Sequence, residues 1–498
     1  MADLVFIPAY RLAQMIRDRT ISSTEVVNAY LAQIDKHNSA LNAICTLHAD
    51  SALSEAKKAD EALAKGDNWG LLHGDPITIK DFYETEGVRT TAGYAPLKNN
   101  VPKQNATVVS RLLSAGAILL GKTNPSDVNG TYQSNNDIFP RTNNPWNLDC
   151  TSGGSSGGSA AAIAAGFSAL DLGSDVAGSI RQPVHCCGVY GLKPTDGRIS
   201  LAGHILETPG SPHCIRQMLV PGPIARSVED LRLCFTLIAG SDPRRPTIPP
   251  VSVKRTIDTT EEKPLTKLRL AWSDDFRGPV ATDIQKALRS GINQLIAAGA
   301  TVEHWSPPDF DWPAVQTLYY RLAAHIYRYA QPVTFSAIKK SLTFIWKEST
   351  QGDPKLRQLG NPSQVIKEIF SPTLRSYFEA LSERDSVIAQ MDQALEPWDA
   401  WLIPVAATAA FTHRAAWQAI DVDGISYPHA IANGAYLMPL NLTGHPVVVI
   451  PIGYTQTGLP IGMQIVGKRW KEMELLAIAQ KIDKAIGAFQ HPPGYQAI

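Results

Sequence analysis

Two serine-bearing stretches lie close together in this chain: Gly153-Gly154-Ser155-Ser156-Gly157-Gly158-Ser159, and Gly173-Ser174-Asp175-Val176-Ala177-Gly178-Ser179. The first begins with the composition of a flexible coil. It runs directly into Ala160 to Gly166, an alanine-rich segment that favours a helix, with Gly166 suited to cap its end. A linker has no reason to enter a tightly packed helix and then a second hydroxyl-bearing turn. The pattern predicts two serine loops at the two ends of one buried helix, converging on a site.

A serine hydroxyl is a weak nucleophile near neutral pH and needs a base. A lysine in apolar surroundings can serve, because desolvation lowers its pKa and leaves it neutral. Gly74 to Asp81 supplies one. Ile77, Thr78 and Ile79 read as a buried strand, and Lys80 stands at its end, where an α/β sheet usually carries its site. Taken alone, Lys80 is better read as turning to solvent or pairing with Asp81. Beside two serine loops, the base reading is preferred.

These residues resemble the amidase signature family, whose catalytic triad is serine, cis-serine and lysine. The matching stretches are Ile79-Lys80-Asp81, Gly121 to Asn124, Asn144-Pro145-Trp146, the whole run from Gly153 to Pro194, Leu440 to Pro446, and Leu459 to Gln464. They follow the family's order and span most of the chain. The resemblance makes Ser179 the nucleophile, in a D-x-[GA]-G-S-[IV]-R element from Asp175 to Arg181. It makes Ser155 the bridging serine, with a cis Gly154–Ser155 bond, and Lys80 the base. Ser156 is expected to hold its loop by local hydrogen bonds, and Ser174 to orient the lysine.

The implied chemistry is acyl transfer: neutral Lys80 draws the Ser179 proton through Ser155, and Ser179 attacks an amide carbonyl. Backbone N–H groups of Val176, Ala177, Gly178 and Ser179 are expected to form the oxyanion hole, each donor contributing about 3–4 kcal/mol to the transition state. Ala177 departs from the glycine many members carry. It keeps its N–H but disfavours positive φ, which narrows the hole without disabling it.

Other chemistries fit less well. His185 lies near Ser179 in sequence, yet no G-x-S-x-G elbow surrounds Ser179 and His185 reads as part of a packed turn. Adjacent Cys186 and Cys187 cannot form a CxxC pair, and no histidine or cysteine spacing suits zinc. Gly173 to Ser179 lacks the order of a phosphate loop. No metal, nucleotide or other cofactor is expected.

The rest of the chain must position this site. With 498 residues it can bury a large core, and Lys plus Arg (46) balances Asp plus Glu (46). That balance gives no electrostatic case for nucleic acid or an anionic membrane as partner. The six cysteines (45, 150, 186, 187, 214, 234) show no disulfide rhythm, which favours a reducing, cytoplasmic setting. The first twenty residues lack a signal-peptide pattern, and no apolar run is long enough to span a membrane.

Ile21 to Asn38 reads as a helix opened by a capping box of Ser22 and Glu25, with Val26, Tyr30 and Ile34 on one face. Asn105 to Ala115 reads as a second amphipathic helix and Ala117 to Gly121 as a buried strand. A strand at Leu268 to Trp272 and a helix at Ala281 to Ala298 follow a proline-rich surface stretch. Core strands return at Ala400 to Pro404 and Val447 to Pro451. The expected fold is α/β: one large domain over 1–498, with a mixed, mostly parallel central sheet flanked by helices on both faces. Its parts are an N-terminal helical part (1–70), the catalytic core (71–240), remaining core (265–306 and 400–498) and a helical region (about 307–397). The resemblance makes this last region variable and substrate-roofing. Its aromatics (Trp312, Tyr319, Tyr320, Tyr327, Tyr329, Trp346, Tyr377) are expected mainly as helix-packing core.

The substrate is less legible. Ungapped alignment back from Asn144 places Asn129 and Thr131 near the acyl-binding side. The preferred reading is a hydrolase of a linear or aryl carboxylic amide, acting on a small molecule, with a homodimer possible. The family also includes the subunit that supplies nitrogen from glutamine to Glu-tRNA, and Ser179 to Pro183 resembles that subunit. The segment after Arg198 departs from it. A third reading, a non-catalytic binding member, is disfavoured by the intact Lys80, Ser155 and Ser179.

Overall fold

The computed structural model describes residues 4–127, 131–205, 215–251, 253, 263–274, 280–308, 310–330, 347, 365, 367–368, 370–487 and 489–496. Ser22 opens the helix Ser23–Leu41 with the expected capping box, its side chain accepting from the Glu25 N–H while Glu25 reaches back to the Ser22 N–H. Val26, Tyr30 and Ile34 on this helix are buried. The helix continues three residues beyond the expected end, to a left-handed Asn42. The second expected amphipathic helix covers Thr107–Ser114.

Among the described residues, eleven strands form one sheet. In chain order they are β1 (Ile44–Leu47), β2 (Pro76–Lys80), β3 (Ile118–Thr123), β4 (Leu170–Asp175), β5 (Tyr190–Lys193), β6 (Val220–Ala225), β7 (Arg269–Trp272), β8 (Thr301–His304), β9 (Ala400–Pro404), β10 (Val447–Tyr454) and β11 (Pro460–Val466). Their spatial order is β1-β3-β2-β4-β6-β5-β10-β11-β9-β7-β8. Pairing is parallel in two wings, β3-β2-β4 and β9-β7-β8. The middle strands pair antiparallel, as does β1 with β3. The antiparallel middle includes β10 and β11, a hairpin whose turn is closed by Thr455 N–H to Leu459 O, a connection too short for a crossover. The α/β class is as the sequence predicts.

Three local features place the site. Both neighbours of β2 are paired, so the Ile77–Lys80 backbone is fixed, and the register Ile79 to Leu172 brings Lys80 and Ser174 to one end of adjacent strands. The helix expected at Ala160 to Gly166 instead covers Gly157–Ala164, and all eight of its residues are buried. It starts inside the glycines because it packs tightly: a Cβ on Gly158 would lie 2.5 Å from the Asn124 backbone. Finally, the second serine stretch is only partly a loop. Gly173 and Ser174 belong to β4 and pair with Gly222 and Pro221.

Candidate active site

Lys80 is almost fully buried, and its Nζ donates to Ser155 Oγ at 2.6 Å and to Ser174 Oγ at 3.2 Å. Burial lowers its pKa to about 7, opposed by the negative charges of Asp175 and Asp171. Phe82 covers it from one side, with Nζ 4.7 Å from the ring centroid. Asp81 does not pair with it; its carboxylate accepts from the Thr91 N–H and hydroxyl.

The Gly154–Ser155 peptide is cis. Gln182 Oε1 accepts from the Gly154 N–H at 3.0 Å, and the Ser155 carbonyl accepts from the Ser126 N–H at 3.1 Å. Ser156 ties the two serine stretches together: its N–H donates to Ser179 O at 3.2 Å and its hydroxyl to Ser174 O at 3.4 Å. Ser155 and Ser179 are both partly exposed, whereas Ser156, Ser174 and Gly178 are buried.

Asp175 anchors the turn that carries Ser179. Its carboxylate accepts from the N–H groups of Gly178 (2.8 Å) and Ile180 (3.1 Å), pairs with Arg181 (3.0 Å), and accepts from Asn441 Nδ2 at 2.8 Å. Arg181 further donates to Gln464 Oε1 and Asn441 Oδ1. Arg181 and its neighbours hold the Asp175 carboxyl far below the usual range despite complete burial. This arrangement corrects one expectation. The Gly178 N–H is already engaged by Asp175, so it is not free to bind an oxyanion. The N–H groups of Val176, Ala177 and Ser179 have no such partner among the described residues.

Thr131 stands beside the first loop, its carbonyl against Gly154, and its hydroxyl donates to Gln133 O at 3.2 Å. Asn129 lies outside the described residues. His185 has both ring nitrogens occupied: Nδ1 accepts from the Gly462 N–H at 2.9 Å, and Nε2 faces Thr408 O at 3.1 Å. Its burial lowers the pKa to about 4, so it acts as a packed structural group. Among the described residues, no group of three or more His, Cys, Asp or Glu could hold a metal ion.

Several neighbours of the turn carry no signal in the sequence. Tyr132 and Tyr319 donate from their hydroxyls to the carbonyls of Ala177 (2.7 Å) and Val176 (3.0 Å). Leu437 covers Gly178. Trp312, Tyr319 and Tyr320 are buried and Tyr377 is half-buried; Trp346 and the side chains of Tyr327 and Tyr329 lie outside the described residues.

The chain as a whole has counterparts among known proteins. The family model described as Amidase matches residues 25–476. The chain belongs to the amidase family. This amidase is 32% identical over 495 residues to the A subunit of the glutamyl-tRNA(Gln) amidotransferase of Prochlorococcus marinus (strain NATL2A), covering 97% of the chain and 98% of that relative. The Roseiflexus sp. (strain RS-1) protein of the same name is 34% identical, with 92% of each chain covered. Among solved structures, a chain of a vestigial protein complex tied to the origins of an s-triazine catabolic enzyme is 28% identical. It superposes with a TM-score of 0.76 over 97% of this amidase and 100% of that chain. The 6-aminohexanoate cyclic dimer hydrolase is 25% identical, with a TM-score of 0.79 over 99% of both chains. The amidase is thus a member of a hydrolase family acting on C–N amide bonds. Among the described residues, none of its helices is long and apolar enough to cross a membrane.

Proposed function

We propose that the protein hydrolyses a carboxylic amide through an acyl ester on Ser179, with Lys80 as base and Ser155 as relay. The observation that carries this reading is the 2.6 Å contact between Lys80 Nζ and Ser155 Oγ, made by a lysine whose burial lowers its pKa to about 7. With Lys80 neutral, the Ser155 hydroxyl can donate to Nζ while it accepts the Ser179 proton. The Ser179 oxygen then bonds to the amide carbon, and the negative oxygen is met by those backbone N–H groups of the 176–179 turn that Asp175 leaves unengaged. On collapse the C–N bond breaks, the proton returns through Ser155 to nitrogen, and an amine leaves. Water attacks the ester by the same relay and releases the acid. Ser174 and Ser156 hold the lysine and the two loops in register.

The walls around the turn support an apolar or aryl acyl group. Tyr132, Tyr319 and Leu437 surround it, while Asp175 and Arg181 neutralise each other beneath. In this reading the helix Trp312–Ala330, which contributes Tyr319, roofs a small-molecule site.

A second reading rests on the relatives that are A subunits of glutamyl-tRNA(Gln) amidotransferases, 32% and 34% identical across nearly the full chain. It favours glutamine as the amide cleaved, with ammonia passed to Glu-tRNA in a complex with partner subunits. Sequence identity supports this reading, and the apolar walls support the first. The deciding experiment purifies the chain alone and measures amine or ammonia release from glutamine and from alkyl, aryl and cyclic amides. Turnover of an apolar amide without partners supports the first reading. Turnover confined to glutamine, and dependent on co-purified subunits, replaces it with the second. A fluorophosphonate that leaves every serine unmodified removes both, leaving a binding protein.

A further inference from the structure

We infer that Tyr319 and Tyr132 are positioning residues, whose hydroxyls set the peptide planes that decide which N–H groups of the 176–179 turn face Ser179. In a trans peptide the C=O of one residue and the N–H of the next point in opposite directions, and the only cis bond among the described residues is Gly154–Ser155. Fixing a carbonyl therefore fixes the following N–H.

Three consecutive planes are held in this way. Tyr319 donates to Val176 O at 3.0 Å, which turns the Ala177 N–H away from the tyrosine. Tyr132 donates to Ala177 O at 2.7 Å, and the N–H of that same plane, on Gly178, donates to Asp175 Oδ1 at 2.8 Å. The Gly178 carbonyl accepts from the Gln182 N–H at 2.8 Å, which turns the Ser179 N–H outward. The middle plane is pinned at both ends and acts as the anchor. The outer two leave the N–H groups of Ala177 and Ser179 without protein partners among the described residues. Exposure follows the same division: Tyr319 and Tyr132 are buried, whereas Val176, Ala177 and Ser179 are partly exposed.

Tyr319 comes from the long helix Trp312–Ala330 and Tyr132 from the segment following β3. Two elements far apart in sequence thus hold one turn. Simple packing is the competing explanation, since Tyr319 also meets Tyr320 edge-to-face at 5.6 Å. A phenylalanine keeps the ring and removes only the hydroxyl, so it separates the two.

The inference rests on the acyl-serine reading, and the test distinguishes failure of either. Wild-type, Tyr319→Phe, Tyr132→Phe and Tyr190→Phe chains are reacted with an alkyl fluorophosphonate, and kinact and KI are measured separately by mass. Tyr190, whose hydroxyl donates to Asp483, controls for loss of a buried tyrosine bond away from the turn. Tyr319→Phe should lower kinact by about tenfold or more, with KI little changed and one label per chain at completion. Tyr132→Phe should lower it less, because Asp175 still holds that plane, and Tyr190→Phe should react like wild type. A Tyr319→Phe chain with wild-type kinact, or a loss confined to KI, overturns the inference while the function stands. Should Tyr319→Phe not fold, Tyr132→Phe decides by the same readout, and wild-type kinact there overturns the inference. A wild-type chain that takes no label overturns the proposed function and this inference with it.

Discussion

The Ser156 N–H donates to the Ser179 carbonyl at 3.2 Å, and this bond fastens the two serine stretches to each other. It places Ser155, the residue before Ser156, at the turn that carries Ser179. The Ser155 side chain then reaches Lys80 at the end of β2. Backbone contacts therefore bring the Ser155 loop to the Ser179 turn, and in the proposed relay the side chains need only short reaches.

Ser179→Ala should abolish fluorophosphonate labelling and lower kcat by orders of magnitude with an unchanged melting temperature. Ser155→Ala should slow acylation by about 10²–10⁴, the range of a lost general base. The loss should be larger for amides than for esters, because an amide nitrogen must be protonated to leave. Equal losses on a matched amide and ester would remove Ser155 from the relay, and label found on Ser155 would reassign the nucleophile.

Activity should rise with pH. The proposed base must be neutral, and burial places the Lys80 pKa at about 7. Below that pH Lys80 is protonated and cannot accept, so kcat/KM should climb through about 7 and level off on the alkaline side. Asp175 and Asp171 oppose the shift, so Asp171→Asn should move the midpoint down. His185→Gln should leave the midpoint in place, since the imidazole pKa is already lowered to about 4. A midpoint near the ordinary histidine value of about 6.5 that vanishes with His185 would make histidine the base.

The same burial has a cost in stability. A lysine with a folded pKa near 7 and an ordinary value of 10.5 binds more protons unfolded than folded between those limits. Its stability cost is therefore full below the folded pKa and fades as pH rises toward the ordinary value. Lys80→Met should raise the melting temperature, most at neutral and acid pH and progressively less at alkaline pH, while ending catalysis. Calorimetry across that range checks it. A melting temperature lowered at every pH would show that the contacts to Ser155 and Ser174 outweigh desolvation.

Much of the site is legible in the sequence because its positioning is local. Ile77–Ile79 declare a buried strand, so Lys80 must sit at its end. The glycine- and serine-rich composition of both stretches marks turns converging on a site, and the structure places the positive φ of the second at Gly178, +105°. What stays hidden is carried by long-range partners. Asn441 and Gln464 reach Arg181 from 260 and 283 positions away, and Tyr319 reaches Val176 from a helix whose aromatic pattern reads mainly as core. The engagement of the Gly178 N–H is hidden for a different reason: Asp175 turns back on its own loop, a conformation that residue type alone does not specify.

Gly178→Ala tests how tightly that turn is built. At φ +105° an alanine is strained wherever it stands, and here its Cβ would also collide with the Leu437 side chain. Two costs are therefore expected, a backbone term of about 1–3 kcal/mol and an overpacking term of about 1–3 kcal/mol. Because Ser179 follows directly, the turn should relieve the collision by shifting, and kcat should fall more than stability alone accounts for. Leu437→Ala removes the Cδ1 and Cγ contacts but leaves its own Cβ 2.9 Å away and φ unchanged, so the double variant should recover part of the activity and part of the stability. A double-mutant cycle on melting and on labelling rate separates the two terms. Full recovery would mean that the backbone tolerates alanine there, and no recovery would mean that Leu437 is not what the turn leans on.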